Sequence, residues 1–123
     1  MKYLVAFASS DGVNIDRHFG QADSFVIYEL DTVLLDANET ERRSVEPPCL
    51  GGAHYESAFE GVLEALSDTS AIVAQRAGAG AVEFIRSKGK AIYQIPLTIE
   101  QALCIILEDK TWEADKWQYH MRS

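Results

Sequence analysis

Residues 2–30 read KYLVAFASSDGVNIDRHFGQADSFVIYEL, and this stretch decides the fold. Lys2–Ala8 is almost continuously apolar, and Ser24–Leu30 is rich in aromatic and β-branched residues, so both runs are predicted strands. The residues between them, Ser9–Gly20, form a polar connection that we call the site loop. It holds one histidine, one arginine and two aspartates. Because buried strands fix both of its ends, its polar side chains are better placed for binding than the same residues on a tail.

The composition limits the class of protein. A chain of 123 residues with 47% hydrophobic residues predicts one globular domain with a real core. No run of eighteen apolar residues occurs, and the N-terminus enters a strand without a signal-like segment. We therefore expect a cytoplasmic protein with no membrane partner. In that compartment the two cysteines, Cys49 and Cys104, are expected to be free thiols.

The charge opposes nucleic-acid binding. The formal net charge is -8, whereas affinity for phosphate backbones needs clustered Lys and Arg. The one adjacent basic pair, Arg42-Arg43, is surrounded by glutamates. Nucleic acid is therefore not an expected partner.

The remaining chain predicts alternating strands and helices. A third, edge strand is expected within Asp31–Pro48, with alternation around 40–45, and the prolines before Cys49 end it. The segment Cys49–His54 is then a loop. Apolar periodicity, capping boxes and glycine or proline breakers predict the later elements. The first is a helix starting at Ser57, with Glu60 as the second residue of its capping box, and it is followed by a strand at Ala71–Ala74. The others are a helix after Ala77–Ala81 that ends at Gly89, a strand at Ala91–Ile95, and a helix capped by Thr98 and Gln101.

This order predicts an α/β fold. Three strands come first, and two further strands alternate with three helices, so the sheet should be mixed. An antiparallel meander of three strands would be extended by two parallel strands. The aromatic residues after Glu108 either extend the last helix or dock on a partner.

Several motifs resemble the dinitrogenase iron-molybdenum cofactor biosynthesis family. Ala6–Gly12, His18–Ala22 and Phe25–Glu29 match its opening, and the later pieces fall in the family's order: Cys49-Leu50-Gly51-Gly52, Ala71–Gln75, Ala77–Gly80 and Lys88–Ala91. The family includes small NifX-like cofactor carriers and the C-terminal domain of NifB. The His-Phe-Gly signature after a Ser-Asp-Gly turn is the most specific part of the match.

The resemblance implies a fold similar to ribonuclease H, with one domain over residues 1–107 and a tail over 108–123. It also implies a non-catalytic carrier that binds an iron-sulfur cluster or an iron-molybdenum cofactor precursor. The partners would be the metallocluster and its donor or acceptor proteins. We expect a monomer or a weak homo-oligomer. Since one fold hosts many functions, the resemblance transfers the fold more safely than the activity.

Two histidines and one cysteine are the candidate ligands. The imidazole of His18 suits iron, with Asp16 as a possible orienting partner, although His18 could equally only fix the loop to the sheet. The resemblance favours cofactor contact. Cys49 and His54 have soft-ligand chemistry, but two residues do not make a closed metal site, so an incidental thiol is the alternative. If these loops converge, His18 and Cys49 would be the metal ligands and His54 a further contact.

Further binding candidates surround these ligands. Arg17 and Arg76 would supply positive charge to an acidic cofactor. Gly78 and Gly80 precede a helix whose amides could bind an anion, although tight strand-to-helix packing is the favoured interpretation. Among the other candidate residues, Phe19 is expected to anchor the core, Gly20 to allow a positive φ or close packing, and Cys104 to be buried.

Two other functions compete with the carrier. A metal-dependent nuclease needs several carboxylates on the central strands, and the predicted strands at 2–8 and 71–74 offer none. The two aspartates of the site loop are therefore expected to shape the turn. A ligand-free regulatory or scaffolding module, acting through the tail or the sheet edge, is the other alternative.

Overall fold

The computed structural model describes residues 2–45 and 55–111. These residues form five strands, three α-helices and a short 3-10 helix at Phe19–Gln21. In chain order they are β1 (Lys2–Ala8), β2 (Ser24–Asp31), β3 (Asp36–Ser44), α1 (Tyr55–Ala65), β4 (Ala71–Ala74), α2 (Ala79–Ser87), β5 (Ala91–Gln94) and α3 (Ile99–Asp109).

The strands form one mixed sheet in the order β3-β2-β1-β4-β5. Strands β1, β2 and β3 are antiparallel, and β4 and β5 add to β1 in parallel. This arrangement confirms the predicted meander followed by two parallel strands. Because β1 is central and is followed directly by the site loop, the loop starts at the edge where the parallel strands have their carboxyl ends. Ligands bind at this edge in many α/β folds.

Alternate residues of the sheet are buried under helices on both faces. The face carrying Ala6 and Ala8 packs against α1 and α2, and the face carrying Val5 and Phe7 packs against α3. Residues 71–74 are all buried, as expected for a parallel strand covered on both sides. The two layers make β1 and β4 a rigid base for the loops that follow them.

Several predicted boundaries were wrong by a few residues. Helix α1 begins at Tyr55, so Ser57 lies inside the helix and is not its cap. The capping-box spacing was misleading because the helix already includes Tyr55 and Glu56. Strand β5 ends at Gln94, one residue before the predicted end.

Helix α3 confirms its predicted cap and corrects the prediction for Cys104. The Gln101 N–H donates to the Thr98 hydroxyl oxygen at 3.1 Å, and the Thr98 N–H donates to the Gln101 side-chain oxygen at 3.1 Å. Ala102 and Ile106 are buried, whereas Cys104 is exposed. At 100° per residue, Cys104 lies about 200° around the helix from both neighbours, so it faces away from the sheet. An apolar sequence environment did not make it a core residue.

The described helices have eleven residues or fewer. Across residues 2–45 and 55–111, no helix is long and apolar enough to cross a membrane.

Candidate functional site

The site loop begins with a tight turn built around the carboxylate of Asp11. One oxygen of Asp11 accepts hydrogen bonds from the N–H groups of Val13 and Asn14, both at 2.8 Å. The hydroxyl of buried Ser9 accepts from the Gly12 N–H at 2.9 Å. The backbone N–H of Asn14, followed by that of Val13, favours the charged carboxylate and holds the pKa of Asp11 far below its ordinary value. Asp11 therefore stays ionised and keeps the turn closed.

Asp16 closes the same loop from its other side. The Ser10 N–H donates to one Asp16 oxygen at 2.9 Å, and the Ser10 hydroxyl donates to the other oxygen. Sequence reasoning offered Asp16 as a partner that orients the His18 imidazole, but the carboxylate binds Ser10. Both aspartates shape the loop, as expected.

The middle of the site loop is tied to the segment before α3. The Ile15 N–H donates to the Leu97 carbonyl at 2.9 Å, and the Ile99 N–H donates to the Val13 carbonyl at 2.8 Å. The Ile15 side chain is buried, whereas Val13 and Leu97 are exposed. Main-chain bonds and one apolar anchor thus fix this part of the loop beyond the end of β5.

The end of the site loop is tied to the segment after β4. The Gln75 N–H donates to the Arg17 carbonyl at 2.9 Å, and the Phe19 N–H donates to the Arg76 carbonyl at 2.8 Å. Between these bonds, His18 and Arg76 form an isolated parallel bridge. This pairing could not be predicted from the sequence, because His18 and Arg76 are 58 residues apart and neither lies in a strand.

His18 is exposed on this fixed backbone. It precedes the short 3-10 helix in an extended conformation, with φ -70° and ψ 145°, and its side chain makes no capping bond. Directly after it, Phe19 is fully buried, and its ring lies 6.4 Å from that of Phe25 and 5.7 Å from that of Phe59. Phe19 is therefore the predicted core anchor, and it holds the neighbouring imidazole at the surface.

The backbones of two arginines lie next to His18: Arg17 precedes it in the chain, and Arg76 pairs with it in the bridge. Arg76 is exposed, and Arg17 is half-buried. The Nε of Arg17 is buried and has no hydrogen-bond partner among the residues the structure describes. In a chain with a net charge of -8, these two arginines add positive charge at this edge of the sheet, where Asp11 and Asp16 add negative charge.

The glycines before and within α2 correct a prediction. Gly78 is the N-cap of α2 with φ -68°, and an added Cβ at Gly78 or Gly80 would meet no heavy atom of the described residues within 4 Å, apart from chain neighbours and the helix's own backbone. Tight strand-to-helix packing is therefore not the reason for these glycines. The Ala77 N–H donates to the side-chain oxygen of Gln94 at 3.1 Å, a contact that sequence reasoning missed. The start of α2 is uncrowded, and a helix N-terminus favours anions.

A positive φ was one of the two expectations for Gly20, but in the site loop it is Gly12 that has this left-handed conformation. In the described part of the chain, positive φ among glycines belongs to Gly12, at 79°, and to Gly89, at 81°. Gly20 is therefore not a positive-φ position. An added Cβ at Gly12 would lie 2.3 Å from a terminal nitrogen of Arg42, so a third arginine packs against the site loop.

The predicted second half of the site, Cys49 and His54, lies outside the described residues. Within residues 2–45 and 55–111, no group of three or more His, Cys, Asp or Glu side chains is placed to hold a metal ion. The described part of the chain thus leaves His18 as an exposed imidazole near two arginines. One imidazole fits a single open coordination position of a preformed cluster, not a closed metal site.

The fold and the site define an α/β domain with a five-stranded mixed sheet and a polar loop fixed across the carboxyl ends of its parallel strands. The family model described as "Dinitrogenase iron-molybdenum cofactor" matches residues 1–108. The chain belongs to this dinitrogenase iron-molybdenum cofactor family.

Curated relatives agree with this assignment. The FeMo cofactor biosynthesis protein NifB of Chlorobaculum tepidum is 31% identical over 99 residues, which are 80% of this chain and 22% of that protein. The NifB of Sinorhizobium fredii is 34% identical over 74 residues, or 60% of this chain and 15% of that protein. The chain therefore spans less than a quarter of the length of either relative.

Solved structures show the same fold at low sequence identity. The crystal structure of PH0822 has a TM-score of 0.64 and 14% identity, covering 89% of this chain and 92% of that chain. The apo form of the orange protein from Desulfovibrio gigas has a TM-score of 0.59 and 17% identity, covering 86% of this chain and 88% of that chain.

Proposed function

We propose that this protein is a non-catalytic, cytoplasmic carrier for an iron-sulfur cluster or an iron-molybdenum cofactor precursor. The cargo would bind at the site loop and pass between donor and acceptor proteins. Membership of the dinitrogenase iron-molybdenum cofactor family supports this role, as do relatives named for FeMo cofactor biosynthesis.

The observation that carries the proposal is the placement of His18. Its backbone is fixed beside Arg76 and its neighbour Phe19 is fully buried, while its own side chain is exposed and does not cap the adjacent helix. A ligand held in this way needs little reorganisation when cargo arrives. A purely structural histidine would instead be expected to use its ring nitrogens within the fold.

Incomplete coordination suits a carrier. A resident metal centre is held by a closed set of protein ligands, whereas transferred cargo must leave. His18 supplies one ligand, and we propose Cys49 as a second metal ligand with His54 as a further contact. A site of two or three ligands would leave cluster positions open for an acceptor protein.

The positive groups near His18 suit an anionic cargo. Clusters with sulfide and thiolate ligands carry negative charge, as do organic-acid or phosphate groups. Arg17 and Arg76 lie beside His18, and the uncrowded start of α2 follows two residues after Arg76. We propose that Gly78 and Gly80 keep this approach open, so that backbone amides and guanidinium groups attract the cargo.

Anaerobic reconstitution tests the proposal. Purified protein is incubated with ferrous iron and sulfide, desalted, and examined for visible absorbance and for bound iron and sulfide. The wild type should retain a cluster, and His18→Ala or Cys49→Ser should weaken retention at least several-fold. His120→Ala removes a histidine outside the proposed ligand set and is the matched control. Full, tight loading of the His18→Ala/Cys49→Ser double variant would contradict the carrier site.

A scaffolding role is the second candidate, and the exposed apolar residues Val33, Leu34 and Leu35 between β2 and β3 favour it. A nuclease is disfavoured because the carboxylates of Asp11 and Asp16 accept hydrogen bonds within the site loop. Magnesium-dependent cleavage of RNA or DNA that is lost in Asp11→Asn would reverse this view.

A further inference from the structure

The connection between β2 and β3 exposes three large apolar side chains in succession. Val33 is 77% exposed, Leu34 is 72% exposed and Leu35 is 42% exposed. We call Val33–Leu35 the apolar tip. Single exposed apolar residues are common, but three together at the end of a hairpin form a contiguous patch. From the sequence, these residues fell within Asp31–Pro48, where only an edge strand was expected.

The conformation of the turn does not require apolar side chains at Val33, Leu34 and Leu35. The Asp31 carboxylate accepts from the N–H groups of Val33 at 2.9 Å and Leu34 at 3.0 Å, and the Leu35 N–H donates to the Asp31 carbonyl at 2.8 Å. Leu35 has φ 57°, a left-handed conformation in which glycine or asparagine is favoured over a branched apolar side chain. Polar residues would serve both solubility and turn conformation better. The valine and the two leucines therefore have no explanation within the fold, which points to a contact with another molecule.

We propose that the apolar tip is a docking element that inserts into an apolar pocket of a different protein, whose rim carries Lys or Arg. The rim chemistry follows from charge complementarity. Asp31 and exposed Asp36 are paired at the strand ends directly below the tip, and Lys2 lies opposite Asp31 on β1, so acidic positions outnumber basic ones there in a chain of net charge -8. An apolar tip with an acidic base fits an apolar pocket with a basic rim.

A second copy of this chain fits the apolar tip poorly. Tip-to-tip contact would bring the Asp31 and Asp36 pairs of two acidic chains together, which like-charge repulsion opposes. An anionic lipid surface is disfavoured by the same carboxylates.

The position of the tip leaves the site loop uncovered. Strand β2 pairs with β1 from Ala8 opposite Phe25 to Lys2 opposite Asp31, so the site loop and the apolar tip lie at opposite ends of β2. Six residue steps of an antiparallel strand span about 20 Å. A protein docked on the tip would leave His18 free for transfer. Only this last step rests on the proposed carrier function, and the docking itself does not.

Photo-crosslinking followed by a binding measurement tests the inference. The full chain with benzoylphenylalanine in place of Leu34 is expressed in its native cells and irradiated, and the crosslinked product is identified by mass spectrometry. That protein is then purified, and its affinity is measured for the wild type and for Val33→Thr/Leu34→Asn/Leu35→Asn, the tip variant. Ile105→Gln, which removes another exposed apolar residue on α3, is the matched control.

The expected result is one identified protein whose affinity falls at least ten-fold with the tip variant and decreases as salt increases. Ile105→Gln and His18→Ala should leave this affinity unchanged. The tip variant should remain folded, because asparagine suits the conformation at position 35. Retained binding and unchanged affinity with the tip variant would overturn the inference, as would the absence of a crosslinked protein.

Two other outcomes would also overturn it. A crosslinked dimer that is lost with the tip variant in sedimentation would assign the tip to self-association. Tip-dependent flotation with phosphatidylcholine/phosphatidylserine vesicles would assign it to lipid. The carrier function fails separately, because a chain that takes up no cluster in reconstitution can still bind the crosslinked protein through its tip.

Discussion

The site loop and the apolar tip begin with the same turn device at opposite ends of β2. In the site loop, one Asp11 oxygen accepts from the N–H groups two and three residues later, and Asp31 does the same in the tip. The local turn chemistry is thus alike. The loops differ in what lies beyond the turn: the site loop is tied by main-chain bonds to the segments after β4 and β5, whereas the tip exposes its side chains.

Two turns with the same local hydrogen bonds therefore differ in their long-range contacts. Tertiary bonds fix the backbone around His18, so its exposed imidazole has a defined position. The tip has no comparable long-range backbone bond among the described residues, and its apolar groups are suited to a deformable contact with another surface. In the two proposals, cargo and the partner protein would therefore bind at opposite ends of β2.

The largest expected effect separates the buried anchor of the site loop from the exposed tip. Phe19→Ala should lower the free energy of unfolding by about 3–5 kcal/mol, because a fully buried ring in contact with Phe25 and Phe59 is removed. Leu34→Ala should change it by less than about 0.5 kcal/mol. Urea denaturation followed by far-UV circular dichroism measures both values. Equal losses for the two variants would mean that the tip packs like the anchor.

Opposite signs are expected at the two positive-φ positions. Gly12→Ala should destabilise the protein by about 1–2 kcal/mol, since alanine is strained at φ 79° and Arg42 must move. Leu35→Asn should stabilise it by about 0.5 kcal/mol, because asparagine tolerates the left-handed conformation better than leucine. Thermal unfolding of both variants provides the comparison. Destabilisation by Leu35→Asn would show that the leucine side chain supports the fold.

A pH dependence is expected for the turn of the site loop. The folded-state pKa of Asp11 is lowered, so its stabilising contribution is present above the unfolded-state pKa of about 4 and is lost as the pH falls through the folded-state value. The wild type should therefore be more stable than Asp11→Asn at pH 7, and the difference should shrink as the pH falls below about 4. Urea midpoints of both proteins at pH 7 and pH 3 test this. A difference that is independent of pH would contradict the role of the carboxylate.

The smallest effect on stability is expected at His18 itself. His18→Ala should change the free energy of unfolding by less than about 0.5 kcal/mol, because the side chain is exposed and makes no capping bond. Urea denaturation at pH 7 without metal measures it, with His120→Ala as the comparison. A loss above about 1 kcal/mol would indicate that His18 is a structural residue.

Local patterns in the sequence were sufficient for most of the fold. Continuous apolar runs identified β1 and β4, and the Thr98–Gln101 capping box located the start of α3. The strand and helix order then predicted the mixed sheet, because connection rules leave few topologies. Cys104 was misassigned since an apolar neighbourhood in sequence does not specify which face of a helix is buried.

The features that could not be predicted from the sequence depend mostly on contacts between distant residues. The loop residues were identified from their chemistry, but the bridge between His18 and Arg76 depends on the packing of β1 beside β4. The role of Gly78 was predicted wrongly because a glycine pattern does not reveal whether a Cβ would meet neighbours. The apolar tip was not predicted because a leucine in the sequence does not indicate a left-handed turn conformation, and Leu35 has φ 57°.

Iron and sulfide retention by three matched proteins tests the division of roles most directly. Wild type, His18→Ala and the tip variant are reconstituted anaerobically in parallel, and bound iron is measured after desalting. The wild type and the tip variant should retain equal amounts of cluster, and His18→Ala should retain several-fold less. Equal retention by wild type and His18→Ala, or a loss confined to the tip variant, would contradict the assignment of cargo binding to the site loop.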